Sequence, residues 1–147
     1  MTGTNYLAEE MAELWRPILG DETADFFKIH GYYSKLIKEL NLRIIVLNTQ
    51  VCDIYNFYVL SAINDPGKQL EWMRKTLYEA EKYSEKVMIL GHIPPGDVTC
   101  HSEFGNRYSV LVDRFENIIR GQFFGHTHVS QFQIVRSLHT QNPVSIA

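Results

Sequence analysis

Three short apolar runs, kept apart by two stretches of helical periodicity, constrain this chain more than any other feature. "LRIIVLN" at 42–48 is short, apolar and β-branched, and reads as a buried strand. "KVMILGHIPPG" at 86–96 holds a second buried strand, broken by Gly91 and ended by Pro94-Pro95. "QFFG" at 122–125 reads as a third. Between the first two lies the clearest helix, "NDPGKQLEWMRKTLYEAEKYSEK". Asn64-Asp65-Pro66-Gly67 is its start signal, and Leu70, Met73, Leu77 and Ala80 form its buried stripe. "GNRYSVLVDRFENIIRG" at 105–121 predicts a second helix, with Val110, Phe115, Ile118 and Ile119 facing inward. Upstream, Leu7, Met11, Leu14, Trp15 and Ile18 recur at helical spacing and predict a helix over 5–19. Gly20 ends it, and Asp21 caps a short helix over 22–28. Tyr32 and Tyr33 begin a short strand, "FYVLSA" at 57–62 is a strand or a loop, and "SQFQIVRS" at 130–137 alternates like a half-exposed strand. Apolar strands bounded by helices predict a helix-covered sheet, hence α/β. A chain of 147 residues fits one domain.

The formal net charge of −3 supplies no basic field for a nucleic-acid polymer. No apolar run approaches the ~20 residues of a membrane helix. The N-terminal "MTGTNYLAEEMAELW" is acidic and helix-like, with neither the positive start nor the apolar stretch of a secretory signal, so if the protein is exported its signal is expected outside this chain. Cys52 and Cys100 each lie just past a predicted strand end, and by sequence they are either a disulfide or two free thiols. Neither belongs to a CxxC pair.

In α/β sheets function gathers just outside the strand C-termini, and two strands end alike. "VMILGH" ends in Gly91-His92 and "QFFGH" in Gly125-His126. The glycines allow sharp turns and close backbone approach, and Pro94-Pro95 stiffens the turn after His92. His126 and His128 are two apart, which in extended backbone puts both rings on one face. Neutral imidazole suits zinc, iron or manganese. His30 sits near a helix end, where the dipole favours a cation, and His139 lies in a polar tail. His101, after Cys100, is a possible substrate contact.

"GHIPPG" followed by "GHTH" resembles the C-terminal half of the calcineurin-like metallophosphoesterases. With "LRIIVLNTQVCDIYNFYVL", "DPGKQLEWM" and "FENIIRGQFFGHTHVSQFQI", the resemblance covers nearly the whole chain and narrows to the acid sphingomyelinase and sphingomyelinase-like phosphodiesterase group. It implies that residues 1–147 are the C-terminal portion of a catalytic domain, part of a β-sandwich flanked by helices, an incomplete four-layer α/β/β/α arrangement. It implies two zinc ions per complete site, with His92 and His126 on one metal and His128 on the other, and hydrolysis of a phosphodiester by metal-activated water. It also implies a Cys52–Cys100 disulfide and a secreted or lysosomal protein.

The family's first half supplies an Asp-x-His, a bridging Asp in a Gly-Asp motif, and a Gly-Asn-His carrying a ligand Asn and an acid His. No Asp-x-His occurs here, and Gly20-Asp21 and Gly105-Asn106 are out of context. The acid His is therefore expected upstream of Met1, and no catalytic residue is assigned within the chain. Two functions follow. One is a phosphodiesterase segment acting on a phospholipid such as sphingomyelin or on a nucleotide. The other is a truncated, non-catalytic or pseudoenzyme form lacking those ligands. Either way the sheet is expected to leave an edge and an apolar face uncovered, inviting self-association.

Overall fold

The computed structural model describes residues 5–61, 64–137 and 139–147. The start of the N-terminal segment, Ala62 of the 57–62 segment and Leu138 lie outside the described residues. The chain opens with a helical hairpin, α1 at Tyr6–Leu19 and α2 at Asp21–His30. Asn5 caps α1 by accepting from the Leu7 N–H. Gly20, at a φ of 83°, both closes α1 and precedes α2, so Asp21 is the first helical residue rather than the cap. Arg16 ties the two helices together through Asp21 and Asp25 of α2, and also pairs with Glu13 of its own helix.

Four strands form the main sheet in the order β1-β2-β3-β4. They are β1 at Tyr33–Ile37, β2 at Leu42–Val46, β3 at Lys86–Leu90 and β4 at Ile119–Phe123. The β1 and β2 strands are antiparallel, while β2, β3 and β4 run parallel. Parallel neighbours require long crossovers, and two helices supply them. These are α3, Gln69–Lys82, between β2 and β3, and α4, Ser102–Arg114, between β3 and β4. The start signal of α3 works as expected, because both Asp65 oxygens accept N–H groups of its first turn, from Leu70 and Glu71. A short antiparallel ribbon, β5 at Ile134–Arg136 and β6 at Pro143–Ile146, lies beside β4. Gln122 of β4 links the two, accepting from the Tyr108 hydroxyl and donating to Ser145 Oγ.

The two faces of the sheet differ. Ile45, Val87 and Ile89 are fully buried and pack with Leu70, Met73, Leu77, Ala80, Phe104, Val112 and Phe115 of the helical layer. On the opposite face Ile44, Val46, Met88 and Leu90 are only half-buried, and Phe123, paired with Leu90, is 54% exposed. One sheet face is thus covered by helices, and the other presents half-buried and exposed apolar side chains.

Several local expectations change. Of the strand or loop left open at 57–62, Phe57–Ser61 form a 3-10 turn. The second long helix starts at Ser102 and stops at Arg114, so Ile119 belongs to β4, not to a helix. Val110 is 50% exposed rather than inward. The third strand begins three residues earlier than "QFFG", at Ile119. The predicted 130–137 strand shrinks to three residues, and β6 joins it. His139 sits in the turn between these strands, its N–H donated to Ser137 Oγ.

Candidate functional site

Because β3 and β4 are parallel neighbours, their C-termini emerge side by side. The ladder extends past both ends, with the Gly91 N–H donating to Phe123 O and the Gly125 N–H donating to His92 O. His92 and His126 therefore arrive on adjacent tips. Their ring centroids are 5.2 Å apart, and His126 Nδ1 lies 3.4 Å from His92 Nε2.

Each tip is held differently. Thr49, just beyond β2 and only 1% exposed, accepts both the His92 and Ile93 N–H groups on its hydroxyl, at 2.9 and 2.7 Å. Gly91 earns its place by space, since a Cβ there would stand 2.7 Å from the Phe124 ring and 3.0 Å from Thr49 Cγ2. On the second tip the left-handed backbone falls on the histidines themselves, at φ 72° for His126 and 57° for His128. The expected extended His-x-His with both rings on one face is thus not what forms. Left-handed backbone at a non-glycine residue costs on the order of 1–3 kcal/mol and persists only where surroundings enforce it. His126 and His128 line one cleft of about 300 Å³ with Pro94, Phe124 and Thr127. The other nitrogen of His126, Nε2, lies 3.0 Å from Thr99 Oγ1. Asp97 Oδ1 in turn accepts the Thr99 hydroxyl at 2.6 Å and the Thr99 N–H at 2.9 Å. These bonds hold the Asp97 carboxyl below its ordinary range.

The donor set can be tested against zinc. Two nitrogens bound tetrahedrally at about 2.0–2.1 Å stand about 3.4 Å apart. The His92–His126 nitrogen separation of 3.4 Å fits that edge. Among the described residues no third His, Cys, Asp or Glu joins these two as a metal-holding group. His128 shares the cleft with His126. The chain thus carries two converged donors and a third nearby.

His101 lies elsewhere. It precedes α4 on a separate groove of about 590 Å³ with Ile54, Pro95 and Val98, and its Nε2 is buried without a hydrogen-bond partner. Cys52 and Cys100 form a disulfide. It is flanked by the pairing of Asp53 with Cys100 and by the His101 N–H donated to Cys52 O at 2.7 Å. Thr49, Asp97 and Thr99 escaped the sequence reading. The only hint was a polar residue directly after an apolar strand at Thr49, and nothing local marked the other two.

No family model matches the chain. Individual relatives do. It is 41% identical over 145 residues, 98% of its length, to a sphingomyelin phosphodiesterase of Bos taurus. It is 39% identical over 145 residues, again 98% of the chain, to a sphingomyelin phosphodiesterase of Homo sapiens. Against the human acid sphingomyelinase-like phosphodiesterase 3b it is 34% identical over 143 residues, 90% of the chain. The chain spans 23%, 22% and 31% of those three proteins respectively.

Proposed function

Because this chain belongs to the sphingomyelin phosphodiesterase and acid sphingomyelinase-like group, we propose that residues 1–147 form the C-terminal portion of a zinc-dependent phosphodiesterase catalytic domain. The single observation carrying this reading is the His92–His126 pair, whose facing nitrogens are 3.4 Å apart. In it, His92 and His126 hold one zinc, and His128 offers its ring to a second from the same cleft. The metals supply charge stabilisation at the phosphoryl oxygens and a lowered water pKa. The chain's own residues fix the ligand frame. Thr49 locks the His92 turn, and the β3–β4 ladder sets the separation of the tips. The remaining metal ligands and the acid His lie outside these residues in this reading.

The substrate is a phosphodiester. A phospholipid of the sphingomyelin type is favoured by the relatives' names, and a nucleotide is the alternative from the wider group. A disulfide suits an oxidising compartment, in keeping with a secreted or lysosomal protein. No helix among the described residues is long and apolar enough to cross a membrane. The open sheet face supports self-association.

The convergence of two imidazole donors, His92 and His126, also supports a second reading, a zinc-binding but non-catalytic form. Zinc stoichiometry, with turnover of bis(p-nitrophenyl) phosphate, separates the two on a longer protein carrying this chain. The first reading expects zinc and turnover, with His92→Ala, His126→Ala and His128→Ala each reducing turnover to background while the protein stays folded. Full turnover in His126→Ala would overturn the metal assignment, and zinc without turnover would select the second reading.

A further inference from the structure

We propose that Thr99, backed by Asp97, is a positioning residue that keeps the His126 proton on Nε2 and so turns the Nδ1 lone pair toward His92. This deepens the metal reading above and rests on it for its functional meaning, but the proton placement stands on hydrogen-bond geometry alone.

A hydroxyl has one proton to give. Thr99 gives its proton to Asp97 Oδ1, at 2.6 Å. The same carboxylate oxygen also accepts the Thr99 N–H, at 2.9 Å, so Asp97 Oδ1 serves as an acceptor twice. Thr99 Oγ1 can then only accept from His126 Nε2, 3.0 Å away, so Nε2 must carry the hydrogen. A neutral imidazole protonated there has its free lone pair on Nδ1. That is the nitrogen 3.4 Å from His92 Nε2. The three groups thus form a carboxylate–hydroxyl–imidazole series, a lengthened version of the carboxylate–histidine pairing that orients metal ligands.

The series is built rather than incidental. Asp97 donates its N–H to Pro94 O at 2.9 Å, and Cys100 donates to Asp97 O at 3.0 Å. Thr99 O accepts the Ile54 N–H at 2.9 Å. The next residue, Cys100, is covalently fixed to Cys52. A hydroxyl on a loop whose backbone is fixed in this way can hold the His126 ring beside a left-handed turn that glycine would otherwise favour.

Two readouts on a longer protein carrying this chain test this. Nitrogen-15 shifts of the imidazoles are recorded without metal at about pH 8, above the ordinary histidine range. Wild type and Thr99→Ser are expected to carry the His126 proton on Nε2, and Thr99→Val to show a mixture of tautomers. A wild-type proton on Nδ1 overturns the proposal whether or not Thr99→Val folds. So does a Thr99→Val spectrum that keeps the wild-type tautomer. Zinc affinity is then measured by competition with a chromogenic chelator. Thr99→Val is expected to bind about 10–100-fold more weakly, with Thr99→Ser restoring most of the loss. Equal zinc affinity in wild type and Thr99→Val would overturn the positioning role while leaving the metal reading intact. No zinc binding by wild type, with the tautomer still set by Thr99, would count against the metal reading instead and leave the proton placement supported.

Discussion

Thr49 shows how one hydroxyl can hold a site together. It is buried and takes two backbone N–H groups from the His92 turn. Replacing it with valine keeps the shape and strands both donors. Thr49→Val should therefore lose about 1–3 kcal/mol of stability, read as a lower urea midpoint with an unchanged slope. Asp97 is the complementary case. Its carboxyl is held below the ordinary value of 3.8 by the Thr99 hydroxyl and N–H. A depressed carboxylate stabilises the fold above its unfolded pKa and loses that contribution only as pH falls through the lower folded value. The hold on Thr99 thus survives mildly acidic conditions. The histidine positions were legible from sequence because glycine-histidine repeats at two strand ends. Their backbone was not, because left-handed φ at His126 and His128 leaves no mark in local composition. Thr49 and Thr99 were invisible for a related reason. A threonine after a strand acquires meaning only from what folds against it, and Thr99 meets His126 across 27 positions.

Among elements, the disulfide-joined pair of loops carries the most leverage. Cys52 and Cys100 are 48 residues apart, and closing such a loop is worth about 4 kcal/mol in the chain-entropy description. The Cys52→Ala/Cys100→Ala variant should lose stability on that order, measured by urea denaturation beside the oxidised wild type. The loop that holds Thr99 should also show faster amide hydrogen exchange than in the parent, since its covalent tether is gone. The pairing was foreshadowed only through family resemblance, because two cysteines alone fix nothing. The α3 helix was legible in detail, its stripe of Leu70, Met73, Leu77 and Ala80 all buried, since one strong period ran its whole length. The boundary between α4 and β4 misled, because Phe115, Ile118 and Ile119 are buried in either conformation and apolar spacing cannot tell a helix end from a strand start. Strand β6 was missed because it is short and starts at a proline.

At the scale of the molecule, the open face dominates. Val46, Leu90 and Phe123 lie across three neighbouring strands, and on α1 the exposed Leu7, Leu14 and Ile18 add further apolar surface. Surfaces of this kind mark interaction sites. The isolated chain should self-associate with rising concentration in sedimentation equilibrium, and Phe123→Lys should weaken that association at least about tenfold, roughly 1.4 kcal/mol. An equally tight association in Phe123→Lys would move the contact off the sheet. The parallel strands also give the sheet two unlike ends. At one end Arg43 and Glu85 form a bidentate ion pair with Glu85 almost wholly buried. At the other stand the paired imidazoles. Substitution of Arg43 or Glu85 would be felt by the folding equilibrium, whereas replacing the His92 or His126 ring leaves the strand ladder beneath the tips in place. Descendants of this sheet could therefore acquire new ligands at its tips while inheriting its foundation unaltered.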